Sequence, residues 1–188
     1  SSALSVALGD AASQTTAYFL MLLCAALVTG MLGALVEVLL LRRIYKAPEL
    51  FQLLATFALV LVMQDGTLWL WGAEDLLGPR APGLIGAVDI LGRRFPTYDL
   101  FLIAIGPLVL AVLWWCLQST RFGVLVRAAT QDREMLGALG VNPRHLFTAV
   151  FALGCALAGL GGALQLPREP AHLGLDMATI GDAFVVVV

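Results

Sequence analysis

The chain has 188 residues, of which 60% are hydrophobic and 13% charged, with a net charge of −2. Mean hydropathy is +0.92. A water-soluble domain of this length needs more polar surface, and a near-neutral chain is a poor ligand for nucleic acid, so the composition points to an integral helical membrane protein in a lipid bilayer.

Residues 1–15 are small, polar and non-periodic, and read as a loop or frayed end. A first span follows over about 16–41, long enough to cross with tilt. Its one ionisable residue is Glu37, with Arg42, Arg43 and Lys46 just beyond it. Glu37 reads either as an interfacial partner of these bases or as a functional intramembrane acid.

The second span covers about 50–71 and ends in Trp69 and Trp71, residues suited to a membrane interface. Gln52, Thr56 and Thr67 fall on one face at helical spacing. They are candidates for the lining of a translocation path, and equally for interhelical hydrogen bonding. Asp65 lies off that face. Residues 72–98 make a Gly/Pro-broken loop in which Val88–Leu91, Gly92–Arg94 and Phe95 suggest a small hairpin. The third span runs over about 99–118, with Pro107 inside it as an expected kink.

Between the third and fourth spans lies the longest polar, basic interval, Arg121 to Phe147. It predicts a separate amphipathic helix over about 124–139, set off by Gly123. Leu125, Ala128, Ala129, Met135, Leu136 and Leu139 lie on one side, and Arg127, Thr130, Gln131 and Glu134 on another. Gly140 is a natural stop, and Asn142-Pro143 reads as an N-cap with a first-turn proline. The fourth span covers about 143–166 and carries Gly154, Ala158 and Gly162, a small-residue ladder for helix packing. A further span starts within 182–188.

The predicted loops alternate sides. Arg42, Arg43, Lys46, Arg121, Arg127, Arg133 and Arg144 lie on one side, against Arg80, Arg93, Arg94 and Arg168 on the other. The positive-inside rule therefore places the amphipathic helix in the cytoplasm and the hairpin outside. The chain has no G-x-x-x-x-G-K-[ST] loop, no H-E-x-x-H motif and no close Cys/His cluster. Cys24, Cys116 and Cys155 read as small packed hydrophobes. An enzymatic reading has little support, and no metal or cofactor site is evident.

Several blocks together resemble the membrane permeases of branched-chain amino acid ABC importers, of the LivH type. They are RAATQDREMLGALGVNPRHLF (127–147) running into FALGCALAGLGGAL (151–164), LLLRRIY (39–45), LLATFAL (53–59), FPTY (95–98) and AFVVVV (183–188). The family's earlier N-F-A-H-G-like block and later G-G-x-G-S-like block are not found, which suggests a chain truncated at both ends.

The resemblance implies an all-α polytopic bundle that pairs with a second permease subunit, as a homo- or heterodimer. Two cytoplasmic ATPase subunits would carry ATP and Mg, and a periplasmic substrate-binding protein would deliver the cargo. The chain would sit in the bacterial inner membrane. The helix at about 124–139 would be the coupling helix. Met135, Leu136 and Leu139 would be its apolar anchors, with Arg127, Gln131, Asp132, Arg133 and Glu134 as polar contacts. Two alternatives stay open: another cargo (urea, amides or sugar), or an ion-coupled carrier using Glu37 or Asp65.

Overall fold

The computed structural model describes residues 2–45, 47–72, 87–90 and 93–168, with 170, 171, 174, 179–181, 183, 185 and 186; the side chains of 2–13, 87–95, 133 and 134 lie outside the description. The fold is an all-α polytopic helical bundle, with one small hairpin among the described residues. Among the described residues, four helices are long and apolar enough to cross a bilayer: Gln14–Ile44, Glu49–Trp71, Thr97–Ser119 and Pro143–Gln165.

The first helix, α1 (Ser2–Val36), leads into a π-helical turn (Glu37–Leu41) and a short α2 (Arg42–Ile44). Residues 2–15, expected as a loop, are therefore helical. Ala-rich, small-residue sequence forms helix readily, and its polarity alone does not stop it. Then come α3 (Glu49–Trp71), β1 (Ala87–Ile90), β2 (Arg93–Pro96), α4 (Thr97–Ser119), α5 (Arg121–Gln131), α6 (Arg133–Ala138) and α7 (Pro143–Gln165). The expected hairpin is present, with Arg93 and Arg94 in its second strand and not in its turn: β1 and β2 pair antiparallel, with Val88 opposite Phe95, Asp89 opposite Arg94 and Ile90 opposite Arg93. Helix α4 continues through Pro107. The rest of the long loop, 73–86, Lys46, and most of the expected span start at 182–188 lie outside the described residues.

The chain divides into two units: residues 1–38 with 80–164, and residues 39–79 with 165–188. In the first unit α1 and α7 lie antiparallel. Gly30 abuts Ala152 and Ala156, Gly33 abuts Cys155, and Thr29 meets Gly159. A Cβ on Gly33 would come within 2.6 Å of Cys155 Cβ, so this approach requires the bare backbone.

The two ends of this seam carry polar links. Thr148 Oγ1 on α7 donates to Glu37 Oε2 at 2.6 Å. At the other end Tyr98 Oη donates to the Leu164 carbonyl at 2.6 Å and lies 3.0 Å from Tyr18 Oη. Leu164 is in the last turn of α7, where carbonyls lack helical partners, so Tyr98 from α4 supplies one.

In the second unit, α3 exposes nearly all of its apolar side chains, Leu50 and Trp69 among them. Apolar surface of that extent suits lipid or a protein partner, not water.

Candidate functional site

The polar interval after α4 is built as two helices. Thr120 is the N-cap of α5: its hydroxyl accepts from Gly123 N at 3.3 Å and donates to the Cys116 carbonyl. The break from α4 thus falls at Thr120, with Gly123 inside α5. Gly123 was expected to make that break, and its actual role is steric. A Cβ there would collide with the Leu117 carbonyl at the end of α4. Arg127 reaches back and donates through Nη1 to that same carbonyl. Part of its hydrogen-bonding capacity thus fixes the α4–α5 corner.

The single helix expected over 124–139 is divided at Asp132, which is extended at φ −151° and ψ 108°. Its Oδ1 accepts from Met135 N at 3.0 Å, so Asp132 ends α5 and caps α6. A cap side chain competes with the continuous helical ladder, and here it wins.

The stop at Gly140 is as expected, with φ +82°. Val141 N donates to the Leu136 carbonyl and Gly140 N to the Gly137 carbonyl. This is a Schellman cap, in which the left-handed residue is best a glycine. Its usual apolar contact is also present, since Val141 packs on the cluster containing Leu136. Two residues on, Asn142 Oδ1 accepts from Arg144 N at 3.0 Å and Pro143 opens α7. The joint between the short helices and α7 is therefore capped on both sides.

Beneath this joint lies a small core of Ala129, Leu136 and Leu146, with Phe122, Leu125, Val126, Ala128 and Val141 around it. It ties α5 and α6 to the first turn of α7. Leu136 is 4% exposed and belongs to this core, so it is not available as a docking anchor. Leu136 takes the inward side of α6, and its apolar neighbours on that helix turn out. Met135 is 63% exposed and Leu139 74%. Val124, also exposed, adds a third outward apolar residue. Arg121, Arg127, Thr130, Gln131 and Asp132 are exposed as well. The side chains of Arg133 and Glu134 lie outside the described residues.

On α3 the three path candidates bond locally. Gln52 Nε2 donates to the Ala47 carbonyl at 2.9 Å. Thr56 and Thr67 donate to the Leu53 and Gln64 carbonyls of their own helix. Thr56, Thr67 and Asp65 are exposed.

The ladder Gly154, Ala158 and Gly162 does not form the α1–α7 contact. A Cβ at Gly154 or Gly162 would meet nothing within 4 Å, and Ala158 is exposed. The contact runs through Ala152, Cys155, Ala156 and Gly159 on a neighbouring face. Helix α7 is small-sided almost all round, so sequence spacing alone did not select the face.

Glu37, weighed as an interfacial partner of the arginines, is 1% exposed and bonded to Thr148. Thr148 was not singled out from sequence, because nothing local marks a threonine whose partner is 111 residues away.

The whole chain, residues 1–188, matches the family model described as branched-chain amino acid transport system / permease component. No curated protein and no solved structure matches.

Proposed function

The chain belongs to the permease component family of branched-chain amino acid transport systems, and from that premise we propose that it is the permease subunit of an ATP-driven importer of branched-chain or related amino acids. It is a transport permease component and a multi-pass membrane protein. Two such permeases, as homo- or heterodimer, line the path in a bacterial inner membrane. Two cytoplasmic ATPase subunits bind ATP and Mg, and a periplasmic binding protein delivers cargo.

The observation that carries this reading is the geometry of α5 and α6. Val124, Met135 and Leu139 stand out on a short helical pair that is capped at Thr120, Asp132, Gly140 and Asn142. Exposed apolar side chains on a mobile loop order only at an entropic cost on binding. Held on a fixed, capped frame, they are preorganised for a complementary cleft. Arg121, Arg127, Gln131 and Asp132 supply a polar rim. The same frame is bound to α7 through Leu146, so a displacement of α5 and α6 moves a span.

A second reading is favoured by the burial of Glu37 in a spanning segment: an ion-coupled carrier that uses this acid, or Asp65, as its proton site. Leucine uptake into vesicles separates the two. The importer requires its ATPase and ATP, and uptake persists with a protonophore. Uptake that ignores ATP depletion and stops with the protonophore would establish the carrier instead.

A further inference from the structure

Glu37 and Thr148 sit where α7 receives the short helices. Thr148 is in the second turn of α7, and Leu146, two residues earlier, is in the core shared with α5 and α6. Two residues are about 200° of helix, so Leu146 and Thr148 point to roughly opposite sides of α7. One side holds the exposed helical pair, and the other reaches α1. Glu37, which meets Thr148, is the most deeply buried polar residue described, and it opens the π-helical turn Glu37–Leu41. Such turns widen the helix locally and re-aim a side chain, and they recur at functional positions.

We propose that Glu37 and Thr148 are a positioning pair that passes displacement of α5–α6, through the first turns of α7, to α1. This rests on the importer reading above. The contact is short at 2.6 Å, as hydrogen bonds to a carboxyl group are. It is also releasable. The Thr148 hydroxyl lies 3.0 Å from the Arg144 carbonyl of its own helix. One hydroxyl proton has two acceptors, so when α1 and α7 part the hydroxyl turns to Arg144 and is not left unsatisfied. A link that forms and breaks without stranding its donor can exist in one state of a transport cycle and not in another. The packed seam at Gly30, Gly33 and Gly159 lacks this property, because its contacts are steric.

The test uses the assembled transporter, permease with ATPase and binding protein, in proteoliposomes, with radiolabelled leucine as the probe and ATP hydrolysis measured in parallel. Thr148→Val keeps the shape and removes the hydroxyl. It is expected to lower leucine uptake about tenfold while hydrolysis stays within about twofold of wild type, so more ATP is used per leucine. Thr148→Ser, which restores the hydroxyl, is expected to restore the wild-type ratio. Glu37→Gln, which keeps a weaker neutral acceptor, is expected to fall between, and decides the matter if Thr148→Val does not assemble. A wild-type ATP-to-leucine ratio in Thr148→Val, or a Thr148→Ser variant as impaired as the valine, would overturn the pair's role. So would uptake and hydrolysis falling in equal proportion. Wild-type vesicles with no ATP-dependent uptake would overturn the importer reading itself, and this role with it.

Discussion

The polar residues of two spanning regions have different fates. Along the α1–α7 seam, Glu37 and Thr148 reach across from one helix to the other. On α3, Gln52 bonds the turn before its helix, and Thr56 and Thr67 bond their own backbone. All are polar side chains in apolar helices, yet among these hydrogen bonds of the described residues the first set joins two spans and the second stays local. A hydroxyl in a span must find an acceptor, and the carbonyl three or four residues back is always within reach. An interhelical bond therefore forms only where packing brings a better acceptor close. Small residues at Gly30, Gly33 and Gly159 do that on α1 and α7.

The largest expected effect separates two adjacent residues. Leu136→Asp places a charge in the core with Ala129 and Leu146 and is expected to cost about 4 kcal/mol or more, so little folded protein survives extraction. Met135→Asp, one residue away but exposed, is expected to leave insertion and thermal stability unchanged. Equal losses for the two would break the assignment of the inner and outer faces.

Next come two glycines of one helix. Gly159→Ala drives a methyl into Thr29 and is expected to destabilise by about 1–3 kcal/mol. Gly154→Ala meets open space and is expected to be neutral or to stabilise by about 0.5–1 kcal/mol, through helix propensity. Thermal unfolding in detergent micelles reads both, and a reversed order would put the seam on the wrong face. The smallest effect is expected on α3. Thr56→Val removes a hydroxyl that serves only its own helix backbone and should change stability by no more than about 0.5 kcal/mol. A larger loss would show that Thr56 holds another helix after all.

The parts of this fold that were legible in the sequence are those set by local chemistry. Gly140 stops α6 because a left-handed cap favours glycine, and Asn142-Pro143 starts α7 because each residue suits its cap position. The hairpin at 87–96 was legible as a hairpin, but Arg93 and Arg94, expected in its turn, pair within β2 with Ile90 and Asp89. Periodicity was too coarse to divide the polar interval after α4 or to choose its inward side. A 3.6-residue repeat carried through Asp132 put Met135, Leu136 and Leu139 on one face. The cap at Asp132 divides that helix, and within α6 Leu136, about 100° round from Met135, turns to the core while Met135 and Leu139 turn out. An aspartate three residues before a helical N–H was a usable signal for that break. The Glu37–Thr148 and Tyr98–Leu164 links had no local signal, because their partners are brought together by packing of distant segments.

The central claim is that Met135 and Leu139 on the capped helical pair seat the permease on an ATPase. The most direct measurement is co-purification of the cognate ATPase with tagged permease carrying Met135→Asp and Leu139→Asp together, beside wild type. The variant is expected to insert and elute as a folded protein while retaining less than about a tenth of the ATPase, since two exposed apolar anchors that become buried on docking each carry on the order of 1–2 kcal/mol or more. ATPase recovered at the wild-type level would contradict the claim.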